Sequence, residues 1–492
     1  LFFTNFTHTN RKVMDNRLEK MFFQVTGHSV NSANQLTPAG SNRVYYRLSD
    51  SENNTLIGVE GTSVQENEAF FEISRHFFKQ GLAVPQLIAV SDDKLAYLIQ
   101  DLGDTSLFDY LSADRNSGEY SAQSVSMLEK VMMVLPDLQF KGGEGLDFSK
   151  CYPSEWFDLR MVKWDLNYFK YCFFKAVGIE FNESLLEDDF DNLTEILLDS
   201  SDSFRTTFMY RDFQSRNVMI KEGEPYFIDY QGGRRGPVEY DVASFLWQAR
   251  AAYPSSLREH LVNVYLNAIQ KYRKTDRDTF LRRLDHFVLF RTLQVLGAYG
   301  FRGYFEHKAH FIQSIPAAMV NLRGLLEKPM PEYPYLEELL HKLANLPQFA
   351  PITQQNGNLT VKICSFSYRK GIPQDNTGNG GGFVFDCRFM HNPGLYDEYK
   401  KLFGIDKPVI DFLEEQGEIQ LFLDNVYSII RPAVAKYVKR GFTSLMVSFG
   451  CTGGRHRSVY SAQHLAEYLK SVFADEICVE LTHRELGITT VL

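Results

Sequence analysis

The chain has no CxxC pair, no uninterrupted apolar run of membrane-spanning length, no excess of positive charge and no GxxxxGK[ST] phosphate-binding loop. Each absence removes a class of protein. Six scattered cysteines, Cys151, Cys172, Cys364, Cys387, Cys451 and Cys478, fit neither a disulfide framework nor a zinc ribbon, and a reducing cytoplasm is the expected setting. The opening LFFTNFTHTNRKVMDNRLEKMFF is soon broken by charge, so it lacks the apolar core of a signal peptide or membrane span. Because the chain starts at Leu1, residues 1–20 are expected to be disordered or an extension of the gene model, with Met14 or Met21 as alternative starts. A net charge of -9 and a pI near 5.8 argue against a general polyanion binder, since phosphate backbones attract positive surface.

What is present is enough apolar material, 44% of 492 residues, for two or three cores. LTPAGSNRVYYRLSD and TLIGVEGTS read as strands, with a Gly-Ser-Asn turn inside the first. In ENEAFFEISRHFFKQGL the residues Phe70, Ile73, Phe77 and Phe78 recur at helical spacing and Gly81 marks the stop. VPQLIAVSDDKLAYLIQDLGD adds two strands, which predicts a small antiparallel sheet with one helix. From Ser106 to about Leu346 the pattern is mainly helical and rich in aromatics, whose ordinary role is packing. One loop-and-hairpin segment, FMYRDFQSRNVMIKEGEPYFIDYQGGRRGP, interrupts it. NLPQFAPITQQNGN reads as a linker, and beyond it strands and helices alternate as in an α/β module. The expected domains are therefore 21–346, a linker at 347–358, and 359–492.

The interrupting segment carries chemistry. Phosphoryl transfer from ATP needs a carboxylate to orient the acceptor hydroxyl and oxygen ligands to hold Mg2+ against the phosphates. In YRDFQSRN, Asp212 and Asn217 stand at the spacing of the kinase catalytic loop, H-R-D-x-x-x-x-N. Twelve residues further on, FIDYQGG places Asp229 after an apolar strand and before a glycine turn, where a second metal ligand belongs. Asp212 is thus the candidate base, with Asn217 and Asp229 as the metal ligands.

AGSNRVYYRL, ENEAFFEISRHFFKQGLAVPQL, QDLGDTSLF, YRDFQSRNVM and IDYQGGRRGPVEYDVASFL together resemble the aminoglycoside phosphotransferase-like kinases, and among them the N-acetylmuramate/N-acetylglucosamine anomeric kinases. The resemblance implies an α+β two-lobed kinase fold, a small antiparallel sheet lobe on a mainly helical lobe, with ATP between them. It implies ATP contacts from Gly40, Ser41, Asn42, Arg43, Glu68 and Asp101, and a structural role for Asp241. Two departures stand out. Tyr210 replaces the usual His of the loop, and TLIGVEG carries no lysine, although a kinase normally places one there to pair the phosphates and a helix Glu. Arg43 is the candidate substitute.

In the C-terminal module an apolar strand runs into Cys451, Thr452, Gly453, Gly454, Arg455, His456, Arg457 and Ser458, and then into an amphipathic helix. Small residues, a helix N-terminus and flanking cations make an anion pocket. Cys451 and Arg457 also satisfy the cysteine-phosphatase pattern C-x5-R-[ST]. SFSYRKGIP, FVFDCRFMHNPG, SFGCTGGRHRSV and THRE resemble the C-terminal domain of the RNase adapter RapZ. That resemblance implies an interaction domain linked to glucosamine-6-phosphate and a small RNA, with Arg369, Lys370, Arg388, Arg455, His456, Arg457, His483 and Arg484 as the cationic set. The module is neutral, with 15 Lys+Arg against 15 Asp+Glu, which speaks against RNA.

The expected function is an amino-sugar kinase of cell-wall salvage joined to a sugar-phosphate sensor, using ATP and Mg2+. The alternatives are a regulatory binding protein with a degenerate kinase lobe, motivated by the missing lysine, and a C-terminal cysteine phosphatase.

Overall fold

A computed structural model describes residues 14–36, 43–199, 206–306, 308–312, 314–346, 349, 359–375, 382–415 and 417–492. It divides into two compact units, Leu1–Phe349 and Ala350–Leu492.

The first unit opens with the helix Asn16–Thr26, capped by Asp15, whose side chain accepts the Arg17 N–H. A five-stranded antiparallel sheet follows: β1 Ser32–Gln35, β2 Val44–Ser49, β3 Thr55–Glu60, β4 Leu87–Val90 and β5 Ala96–Gln100, in the order β1-β2-β3-β5-β4. Strand alternation sorts its side chains onto two faces. Tyr46, Leu48, Ala96 and Leu98 pack with Leu18, Met21 and Phe22 of the first helix. Ile57, Val59 and Tyr97 pack with Phe70, Phe71, Ile73 and Phe77 of the helix Val64–Lys79. Gly58 permits the first contact, because a Cβ there would sit 3.1 Å from both Leu18 and Leu48. Residues 16–20 therefore belong to the folded lobe, ahead of the boundary expected at 21, since Leu18 is fully buried. Two elements escaped the sequence reading, the first helix and the short polar edge strand β1.

The helical part, built on Ala122–Phe140, Leu159–Phe169, Glu183–Leu198, Val238–Leu246, Ser255–Ile269 and Arg277–Gly300, shares one core with the inner face of the sheet. Set into it are two small ribbons, β6 Phe208–Met209 with β9 Arg234–Arg235, and β7 Val218–Lys221 with β8 Glu224–Phe227. The unit runs to Phe349, whose ring stacks on Phe173 at 5.9 Å, three residues into the expected linker.

The second unit is a mixed sheet, β10 Leu359–Ser367, β11 Gly382–Asp386, β12 Ser444–Cys451, β13 Ile477–His483 and β14 Ile488–Val491, in the order β11-β12-β10-β13-β14. β10 lies parallel to β12 and β13, β11 parallel to β12, and only β14 runs antiparallel. β10 and β12, at its centre, are buried along most of their length, as expected where helices cover a parallel sheet. The helices Glu418–Lys439 and Arg457–Phe473 complete the core through Val426, Ile430, Leu465 and Leu469.

Candidate active site

The catalytic loop is held from beneath by one buried carboxylate. The backbone N–H groups of Tyr210 and Arg211 donate to the two oxygens of Asp241 at 3.0 and 2.9 Å, and Gln139 Nε2 donates to it at 3.1 Å. Burial pushes the Asp241 carboxyl up to about 6 although these bonds work against it. Tyr210, in the place of the usual His, is buried and donates its hydroxyl to the carbonyl of Ile228, tying the loop to the segment before Asp229. Arg211 and Asp229 both adopt left-handed φ, +76° and +69°. Such backbone is costly for residues other than glycine and collects at functional sites.

This scaffold brings the three predicted residues together. Asn217 Nδ2 donates to the Asp212 carbonyl at 2.9 Å and to Asp229 Oδ2 at 3.2 Å, and Gln231 Nε2 donates to Asp229 Oδ1 at 2.7 Å. Asp212 is half-buried and Asp229 is open to solvent at its tip. The protein packed around Asp229, and after it the charge of Asp212, push its carboxyl up to about 6, against Gln231 and Arg43. A cation there would relieve that carboxylate. The donors are hard oxygens, the Asp229 carboxylate and the Asn217 amide carbonyl, which fit Mg2+ completed by phosphate oxygens. Among the described residues no group of three His, Cys, Asp or Glu could hold a metal without such help.

The expected nucleotide contacts divide. Gly40, Ser41 and Asn42 lie outside the described residues. Arg43 is buried, and its guanidinium meets Glu66 Oε1 at 3.1 Å. Glu68 does not take the helix position expected of it, for it is exposed and paired with Lys94. Residues two apart on a helix point about 200° apart, so with Glu66 turned to Arg43, Glu68 must face away. Asp101 also departs from its expected role. Its carboxylate accepts Arg47 Nε at 2.7 Å, Arg47 NH2 at 3.1 Å and the Gly103 N–H at 2.9 Å, and so braces the turn after β5.

On the other side of Asp212 lies a network without a sequence signature. Asp165, from the helix Leu159–Phe169, accepts Gln294 Nε2. Tyr240 donates to Gln294 Oε1 at 2.9 Å, and Arg291 donates to Tyr240 and to Ser244 at 3.1 and 3.0 Å. Asp165, Gln294, Glu66 and Gln231 were all missed in the sequence: the first three act through partners distant along the chain or through helix phase, whereas Gln231 acts on Asp229 two residues away and carries no signature of its own.

In the second unit the loop after β12 wraps the Cys451 sulfur. Gly454 N–H donates to Sγ at 3.2 Å and Ser458 Oγ lies 3.1 Å from it. Burial works to raise the thiol, but the bonds from Ser458 and Gly454 and the charge of Arg457 outweigh it and hold it below its ordinary value. Gly454, at φ +66°, is required, because a Cβ would fall 2.8 Å from the Ser367 nitrogen. Arg457 is buried, with NH1 donating to the carbonyls of Arg388 and Met390 at 2.9 and 2.6 Å and Nε left without a partner. The guanidinium is thus anchored through NH1, while its buried Nε keeps an unused donor.

The expected cationic set is smaller in the structure. His456 and His483 are buried, which pulls both below the ordinary value, and they serve as neutral bridges to the Tyr399 carbonyl and to Ser365. Arg388 pairs with Asp386 at 2.6 Å, and Lys370 and Arg484 pair with Glu485 at 2.6 and 3.1 Å. Arg455 is exposed and lies over Phe403 at 4.8 Å. Thr452 contributes its carbonyl to Ser367 Oγ at 2.8 Å, and Gly453 is exposed.

Residues 33–276 match the model of the phosphotransferase enzyme family, APH, and residues 359–487 match that of the RapZ C-terminal domain. A nucleotide-binding protein of Staphylococcus epidermidis is 36% identical over 129 residues, which is 26% of this chain and 40% of that one. Another from Thermotoga neapolitana is 35% identical over 135 residues, 27% and 45% of the two chains. The chain thus spans less than half the length of these curated relatives. Among solved structures, an amicoumacin kinase in complex with AMP-PNP and Ca2+ aligns with TM-score 0.44 and 12% identity over 67% of this chain and 97% of that one. Choline kinase from Cryptosporidium parvum aligns with 0.43 and 13% over 63% and 93%.

Proposed function

We propose that this chain, which joins a phosphotransferase-family domain at 33–276 to a RapZ C-terminal domain at 359–487, is an ATP-dependent kinase of small hydroxylated molecules with a ligand-sensing module. The observation that carries the reading is the convergence of Asp212, Asn217 and Asp229 through the Asn217 side chain. Asp212 orients the acceptor hydroxyl and takes its proton as the oxygen attacks the γ-phosphorus of ATP, while the bond from that phosphorus to the bridging oxygen breaks and ADP leaves. Asn217 and Asp229 hold Mg2+, which when bound neutralises phosphate charge. Arg43, steadied by Glu66, supplies the positive charge that a strand lysine supplies elsewhere, so the lobe need not be degenerate.

The acceptor in this reading is an amino sugar of the N-acetylmuramate/N-acetylglucosamine type, used in cell-wall salvage, and the setting is the cytoplasm. Two features support it. Both halves resemble amino-sugar proteins, and all six cysteines are free thiols. ATP consumption with N-acetylmuramate, N-acetylglucosamine, glucosamine and an aminoglycoside tests it, and turnover of none of them overturns it. Asp229→Ala and Asn217→Ala are expected to weaken Mg-ATP binding by about 10- to 100-fold, the scale for groups that hold or orient a metal. Unchanged Mg-ATP affinity by calorimetry in both variants would place the metal elsewhere.

For the second unit the reading is a sugar-phosphate sensor centred on Arg457, whose Nε has no protein partner, and the N–H groups of the loop. Full-length protein titrated with glucosamine-6-phosphate should lose about one to two decades of affinity on Arg457→Lys, which keeps the charge but not the fork. Cys451→Ser should leave the affinity nearly unchanged. The low-lying thiol favours the phosphatase alternative, and release of phosphate from an aryl phosphate that disappears in Cys451→Ser would establish it instead.

A further inference from the structure

Three arginines from three separate elements gather at the rim of the kinase site. Arg216 sits in the turn Ser215–Asn217, between the candidate base and a candidate metal ligand. Its guanidinium lies over the Phe108 ring at 4.2 Å, and Arg115, from the helix Ser112–Ser117, lies over the same ring at 3.7 Å. Arg115 NH1 also donates to the Phe108 carbonyl at 2.7 Å. The third, Arg250, is delivered by a hydrogen bond. Ser215 donates both its N–H and its hydroxyl to Gln248 Oε1, at 3.1 and 2.7 Å, which docks the catalytic turn against the turn Ala249–Ala251 that carries Arg250.

Arg216 and Arg250 are exposed and Arg115 is half-buried. None of the three has a carboxylate at ion-pair distance among the described residues. Asp109, on the helix that carries Phe108, is engaged by Ser106 Oγ at 2.6 Å.

Like charges brought together without counter-charges repel, and stacking two guanidinium planes on one ring fixes their directions in advance. Fixed planar forks of this kind match carboxylate and phosphate oxygens. Arg216 stands four residues after Asp212, so the two Cα atoms are at most about 14 Å apart.

We propose that Arg115, Arg216 and Arg250 form an anion subsite for the acceptor, selecting molecules that carry a carboxylate or phosphate remote from the hydroxyl that is phosphorylated. The proposal rests on the kinase reading above, and it identifies the part of the acceptor that the enzyme discriminates.

The test uses full-length protein and three acceptors on one sugar frame: N-acetylglucosamine, which is neutral, N-acetylmuramate, which adds a carboxylate, and N-acetylglucosamine 6-phosphate, which adds a phosphate. Wild type should favour one or both anionic acceptors in kcat/KM, and the favoured one names the anion. In Arg250→Gln, and in Arg216→Gln, the ratio of kcat/KM for that acceptor to kcat/KM for the neutral one should fall about 10- to 100-fold, the effect of one charge-assisted contact. The loss should appear in the KM for the acceptor. An unchanged ratio, whether because activity on all acceptors falls together or because none falls, overturns the subsite while leaving the kinase reading intact. No preference for an anionic acceptor in wild type overturns it as well. Turnover of none of the three by wild type removes the amino-sugar reading and the subsite together.

Discussion

Asp212→Asn should lower kcat by about 10²- to 10⁴-fold, the contribution of a positioned general base, while Mg-ATP affinity stays within about twofold. The substitution is nearly isosteric, so the backbone N–H of Asp212, which donates to the Tyr210 carbonyl at 3.1 Å, is undisturbed. The carbonyl that accepts from Asn217 is undisturbed too. What is lost is the basic oxygen and the negative charge. That charge also helps raise the Asp229 carboxyl, so its removal does not harm the metal site. ADP release under saturating ATP, set beside calorimetry with AMP-PNP and Mg2+, separates the two effects. Activity within tenfold of wild type would remove Asp212 from the role of base.

Asp241→Ala should destabilise the first unit by about 2–6 kcal/mol, because it strands two buried backbone donors at about 1–3 kcal/mol each. The donors are the N–H groups of Tyr210 and Arg211, so catalysis should fall with the fold although Asp241 touches no substrate. The pH dependence has a definite sign. Burial lifts the Asp241 carboxyl to about 6, above the unfolded value of about 3.9. A raised carboxyl contributes stability that is complete below the unfolded value and is lost as pH rises through the folded one. Wild type should therefore lose stability relative to Asp241→Asn between about pH 4 and 6, and the difference should be flat above. Unfolding midpoints of the two proteins across that range check it. The opposite slope would mean that the three hydrogen bonds outweigh burial.

How far each residue could be read from the sequence depended on the range of the interaction behind it. Asp212, Asn217 and Asp229 fall within one strand-turn-hairpin stretch, and their order and spacing alone place them in a shared loop. The strands VYYRLS and TLIGVE were legible for the same reason, because strand residue types and the turns that bound them are local. Glu66 and Glu68 suit the sequence equally well. Only the rotation of the helix against Arg43 distinguishes them. Asp101 follows a strand in the right place, but Arg47 occupies both of its carboxylate oxygens, and that pairing crosses 54 residues. His456 and His483 read as cations by residue type, whereas their charge depends on burial, which no local pattern records.

By itself, then, the sequence determined the two folding units, the kinase loop with its three oxygen-bearing residues, and the strand-loop-helix built around Cys451, since each of these is a local pattern of period, turn chemistry and spacing. Tertiary structure alone decided which acid meets Arg43, that Asp241 suspends the loop carrying Asp212, and that Arg457 is anchored through NH1 with Nε left without a partner. It also decided that Arg115, Arg216 and Arg250 share one rim. Those facts are distances between residues far apart in the chain, and they arise only when packing brings their elements together and fixes the phase of each helix.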